Sequence, residues 1–163
     1  MPTPTYTPLA NITLGSSAAS VTFSSISQAY RDLVLVCNGT FTGTAGFRLT
    51  LNGDTDNSTI TAVTMIGNGS AASSGTTSGL AGNAISNGVN GGTTDSMYQL
   101  HIFDYSVTDK HTSMLLRHDR SDTGTLASAS RWANTAAVTT VKVWPASGSW
   151  SAGSTFALYG IAS

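Results

Sequence analysis

Apolar residues in this chain recur at every second position over short runs, and the runs end in Gly, Pro, Asn, Asp or Ser. That period puts successive side chains on opposite faces of an extended strand. The clearest run spans residues 32–41, where Leu33, Leu35 and Cys37 alternate with Val34, Val36 and Asn38, so both faces are expected to be covered. Residues 46–52 set Phe47, Leu49 and Leu51 against Arg48 and Thr50, a strand with one wet face. Its exit, Asn52-Gly53-Asp54, is a strong turn signal, because Asn and Gly both accept positive φ. Further strands are expected at 11–14, 20–23, 59–66, 97–105, 111–118, 126–132, 139–144 and 155–161, with a hairpin connection at 106–110. About ten short strands with no helix predict an all-β fold: a single-domain antiparallel β-sandwich, jelly-roll-like.

The chain has 163 residues, enough for one domain. More than half of it is Ser, Thr, Gly, Ala and Asn, and its eight acidic residues are all Asp. Helix formers are scarce, which excludes a bundle or coiled coil. No run is long enough for a membrane-spanning helix, and the first residues lack a signal-peptide pattern. A net charge of −1 removes the electrostatic case for nucleic acid or an anionic membrane as partner. With 40% hydrophobic residues and so little net charge, the chain is expected to fold. Its core is thin for its length, so an oligomer or partner chains are expected to cover part of the surface.

Residues 1–10, rich in proline and threonine, suggest an extended arm that lies on a neighbour, with the sandwich occupying 11–163. Within the sandwich, residues 67–95 break the alternation, and Leu80, Ile85 and Val89 are their chief apolar side chains. This stretch reads as a long excursion ordered by contact with a neighbouring subunit, with one short strand around residues 80–85.

Candidate chemistry is sparse. If the hairpin turns near residue 108, His101 and His118 are expected on one face, which makes a two-His-plus-carboxylate metal site conceivable. The interleaved Lys110, Arg117 and Arg120 favour a salt-bridged, water-facing hairpin end instead, and no metal is expected. Glycoside hydrolysis commonly uses Glu as its acid, and this chain has none. There is no Gly-x-Ser-x-Gly elbow and no phosphate-cradling motif. Cys37, mid-strand among aliphatics, reads as a buried inert thiol. No catalytic residue and no cofactor are expected, and the reading is of a non-enzyme.

Four Asn-x-Ser/Thr sequons, at Asn11, Asn38, Asn57 and Asn68, are what chance supplies in so Ser/Thr-rich a chain. Trp132, Trp144 and Trp150, with Tyr98, Tyr105 and Tyr159, are candidates for a sugar-stacking platform; Trp132 and Trp150, among polar and small residues, read as exposed, whereas Trp144 ends an alternating strand and reads as core. Packing or an oligomer interface is the preferred role for these aromatics.

Two stretches go beyond composition. Near the start, Val21-Thr22-Phe23-Ser24-Ser25-Ile26-Ser27-Gln28-Ala29-Tyr30-Arg31-Asp32-Leu33-Val34-Leu35 follows Tyr6-Thr7-Pro8-Leu9-Ala10-Asn11-Ile12-Thr13-Leu14. Near the end stands Gly153-Ser154-Thr155-Phe156-Ala157-Leu158-Tyr159-Gly160-Ile161. Together they resemble a group of tailed-bacteriophage virion proteins in which a VTF-SSI-PQ-x-Y-x-DL-x-L segment opens a β-sandwich and an F-x-LYGI strand closes it. The Asn52-Gly53-Asp54 turn fits the same pattern. Ser27 replaces the group's usual proline, and Ala29 its common threonine.

The residues carrying the resemblance read as scaffold. Phe23, Ile26 and Tyr30 would pin a turn across one end of the sandwich, and Asp32 would cap it through backbone N–H groups. Leu33 and Leu35 would enter the core, and Phe156, Leu158, Tyr159, Gly160 and Ile161 would form the last strand. The resemblance implies a structural part of the virion, assembled in the host cytoplasm. On that reading the chain is a capsid cement or decoration protein, a homotrimer contacting the major capsid protein or another virion protein. The alternative placement is a tail, fibre or baseplate component with a glycan-binding role.

Overall fold

The computed structural model describes residues 4–56, 58–78, 85, 90–122 and 124–162. Among them are eleven strands: β1 (Tyr6–Thr13), β2 (Val21–Phe23), β3 (Asp32–Gly39), β4 (Phe47–Leu51), β5 (Ile60–Gly67), β6 (Ala72–Ser78), β7 (Ser96–Phe103), β8 (Thr112–Arg120), β9 (Gly124–Trp132), β10 (Val141–Pro145) and β11 (Thr155–Ile161). All pairings between them are antiparallel. An eight-stranded sheet runs β1-β11-β3-β7-β8-β9-β5-β6, and a three-stranded sheet runs β2-β10-β4. The two-sheet all-β architecture is the one that the alternation predicted. Chain order switches sheets at β2, β3, β4, β5, β10 and β11, the crossing pattern of a sandwich.

Register explains which residues are buried. One row crossing the large sheet reads Leu158, Leu35, Leu100, Leu116, Ser128 and Thr64, all buried. The inward side chains are thus aliphatic near β11 and β3 and become small and polar toward β9 and β5. The short sheet supplies Val21, Phe23, Phe47, Leu49, Leu51, Val141 and Val143. Trp150 sits at the aromatic centre, with ring centroids 4.6 Å from Phe41 and 4.7 Å from Phe156. Cys37 is buried among these residues, and desolvation pushes its thiol well above the usual range. The inert-thiol reading holds.

The Asn52-Gly53 turn has φ of 53° and 71°, the positive pair expected of a tight hairpin-type turn. The Asn52 side chain also reaches across the molecule. Its amide donates to the Ala137 carbonyl at 2.8 Å, and its oxygen accepts the Thr139 and Thr140 N–H groups at 2.8 and 3.1 Å.

Two boundaries differ from the sequence expectation. The expected arm over residues 1–10 does not hold for its second half, because from Tyr6 the chain is already β1, paired with β11. Pro8 is tolerated there because β1 is an edge strand, and the register shifts between Pro8 and Ala10. The 67–95 excursion also contains a full strand, β6, ahead of the short one expected around residues 80–85. Its pairing with β5 runs unbroken from Thr61↔Ser78 to Gly67↔Ala72. The strand expected around residues 80–85 lies outside the described residues except for Ile85, which is fully buried in the chain's own core.

Candidate functional site

The two stretches that carry the family resemblance meet in space. β11 lies between β1 and β3, with Leu158 opposite Leu35, Tyr159 opposite Val34 and Gly160 opposite Leu33. The Tyr30 ring rests on Gly160 so closely that a Cβ there would stand 2.4 Å from Tyr30 Cγ. Phe23 and Ile26 are buried. The turn between them and Tyr30 is tied to the 138–139 segment: the Ile26 N–H donates to Thr139 at 3.1 Å, and the Gln28 amide donates to Val138 at 3.0 Å. The Tyr105 hydroxyl donates to the Ser27 carbonyl. Ser27 itself accepts the Ala29 N–H at 3.3 Å, a side-chain contact that shapes the turn where the group usually has a proline ring.

Asp32 is buried and accepts a backbone N–H as expected, but from a different turn. Its donor is Asp104 at 2.9 Å, just after β7, where Asp104 adopts a φ of 46°. Arg31 lies 2.9 Å from the same carboxylate and His101 Nε2 lies 3.3 Å from it. Burial raises the Asp32 carboxyl, but the Asp104 N–H, Arg31 and His101 outweigh it and hold the group below the usual carboxylate range. The cluster fixes the end of the β3–β7 pair.

His101 and His118 do not share a face. The hairpin centres near residue 108, as expected, which pairs His101 with Leu115 and His118 with Tyr98. Side chains alternate with period two, so the odd-numbered His101 points outward and the even-numbered His118 inward. His118 is fully buried, its ring stacked 4.1 Å from Tyr98. Lys110 pairs with Asp104 at 2.6 Å at the β7–β8 turn, whereas Arg117–Asp119 at 3.0 Å and Arg120–Asp122 at 2.6 Å lie toward the opposite end of β8. Among the described residues no group of three His, Cys, Asp or Glu is placed to hold a metal ion.

The tryptophans reverse their expected places. Trp132 and Trp150 are buried, and the Trp132 indole donates to Asp54 at 2.7 Å. Trp144, expected in the core, is half-buried on the outer face of the short sheet with Lys142 Nζ 5.3 Å from its ring centroid. Small and polar neighbours in sequence misled here, because a large ring fills the space that small side chains leave. A sugar-stacking platform on Trp132 and Trp150 is therefore ruled out by their burial.

The outer face of the large sheet carries the surface feature that sequence reading missed. Val63, Met65 and Leu115 are 54%, 64% and 50% exposed. Register places Val63, Ala129, Leu115 and His101 in one row, and Met65, Ala127, Arg117 and Gln99 in the next. Together they line a shallow groove of about 460 Å³. Covering the half of each side chain that remains exposed is worth about 1 kcal/mol, so this strip gains from a partner. Its sequence signal is the unbroken run Met114-Leu115-Leu116: in a strand, the middle residue of three apolar ones must face the other way.

No protein-family model matches the chain, and no curated protein matches it. Solved structures resemble it weakly. An alginate lyase, Aly36B, is 14% identical over 93% of this chain and 77% of its own, with a TM-score of 0.39. The Caenorhabditis elegans galectin LEC-6 is 9% identical over 94% and 96%, at 0.40. An exo-inulinase from Aspergillus awamori is 12% identical over 96% of this chain but 29% of its own, at 0.43. Likeness at this level transfers no activity, ligand or partner to this chain.

Proposed function

We propose that this chain is a structural component of a tailed-bacteriophage particle, a capsid cement or decoration protein that self-associates on the head and bridges capsomers. The reading rests on the resemblance stated above. The observation that supports it is the meeting of both resembling stretches in one packed unit, with Tyr30 seated on Gly160 and β11 paired to β3. Motif residues that build a scaffold, and not a cleft, fit a part whose work is mechanical. On this reading the strip of Val63, Met65 and Leu115 meets the major capsid protein or another virion protein, since these apolar side chains are exposed among the described residues.

The test is co-sedimentation of the purified chain with expanded heads and, separately, with tails from the phage whose genome carries the gene. Saturable, stoichiometric binding to heads is expected. Binding to tails alone, or to host cells and their glycans, would replace cement with the tail or fibre placement. Binding to none of these would overturn the virion reading.

A further inference from the structure

The two edges of the eight-stranded sheet are built differently. β1 carries Pro8 and a register shift, and it packs Leu9, Ala10 and Ile12 against the core. Proline and irregular register are devices that keep an edge from pairing with another chain. β6 has neither. Its residues, Ala72-Ser73-Ser74-Gly75-Thr76-Thr77-Ser78, carry no charge and no proline, and they pair with β5 without a shift. Ala72, Ser73, Ser74 and Thr76 are exposed and Gly75 is half-buried, so this part of the strand adds no side chain to the core. Among the described residues, no strand pairs with the outer side of β6. A regular, uncharged edge of this kind is a template for another strand.

We propose that β6 is the self-association edge and that its partner is the β6 of a second copy, antiparallel about a two-fold axis at Gly75. The segment is self-complementary in that arrangement. Ser74 of one copy pairs with Thr76 of the other, position 73 with position 77, and Gly75 with Gly75, so the Ser74 and Thr76 hydroxyls meet and no like charges oppose. A two-fold normal to the sheet also keeps corresponding faces on the same side. Met65 pairs with Ser74 and Val63 with Thr76, all on the outer face. The row then runs from Met65 through Ser74 and the second copy's Thr76 to its Val63, a crossing of about 15 Å at ordinary strand spacing. The two apolar strips thereby become one continuous face. The pairing stands on the edge alone; the use of the joined face against a capsid rests on the function proposed above.

Sedimentation and cross-linking of the full chain test this. The wild-type chain is expected to run at twice its monomer mass. Ser74→Lys with Thr76→Lys should give a monomer that still unfolds cooperatively, at a melting temperature that no longer rises with chain concentration, and mixing it with the Ser74→Asp, Thr76→Asp chain should restore a mixed dimer. Gly75→Cys places two thiols within disulfide reach across the axis, since Gly75 has room for a Cβ and Cys37 is buried. It should oxidise to a covalent dimer, whereas Ser73→Cys, which pairs with position 77, should not. A monomer at the highest soluble concentration, a trimer, or a dimer indifferent to the lysines would overturn the proposal. Should the lysine variants fail to fold, the Gly75→Cys and Ser73→Cys comparison decides alone. A monomer that still binds heads would sink the edge pairing and leave the virion reading standing; a dimer that binds no particle would do the reverse.

Discussion

Gly160 occupies a place that only glycine fits, because the Tyr30 ring fills the volume of any Cβ. Gly160→Ala should destabilise the chain by roughly 1–3 kcal/mol, the usual cost of overpacking. In a Tyr30→Ala background that cost should largely vanish, and a double-mutant cycle by urea unfolding measures the coupling. Asp32 yields a prediction in pH. Its folded carboxyl sits below the usual carboxylate range, so its stabilisation is fully present above the unfolded value and is lost as pH falls through the folded one. Asp32→Asn should weaken the fold at neutral pH by about 1–3 kcal/mol and flatten the acid side of the stability profile. An acid limb as steep as wild type would contradict this. Asp32 was legible as an acceptor because an acid before an aliphatic run suits a turn. Its donor, seventy-two positions away, was not, since nothing local encodes a contact between β3 and β7.

At the scale of elements, alternation located ten strands and missed β6, whose side chains are too small and too uniformly polar to show a period. A strand held by its neighbour's ladder and not by burial leaves no hydrophobic trace. The β7–β8 hairpin shows the opposite failure. The sequence locates its centre, yet the expectation of His101 and His118 on one face fails, because in a period-two element an odd and an even position cannot share one when the pairing sum is even. The Asn52 turn was legible as a turn but not as a clamp. Asn52→Ala removes four cross-molecule hydrogen bonds and leaves a Cβ residue at φ 53°. It should cost about 2 kcal/mol, and hydrogen exchange should show the 137–140 segment losing protection first.

At the scale of the whole molecule, the outer strip separates folding from association. Met65→Asp with Leu115→Asp alters exposed positions only, so thermal unfolding should change little, while the amount of chain bound to heads should fall at least tenfold; unchanged binding would remove the strip from the contact. Fold class was readable because alternation and turn residues are local. The allotment of strands to an eight-stranded and a three-stranded sheet was not, because it depends on long-range pairing. That pairing also fixes a timetable. β11, the last of the described strands, inserts between β1 and β3, so until residues 155–161 leave the ribosome β1 and the edge of β3 away from β7 lack their native partner. Native closure is then a late, non-local event, slow by the measure of contact order, and the nascent chain is most prone to aggregate just before synthesis supplies the strand that divides those edges.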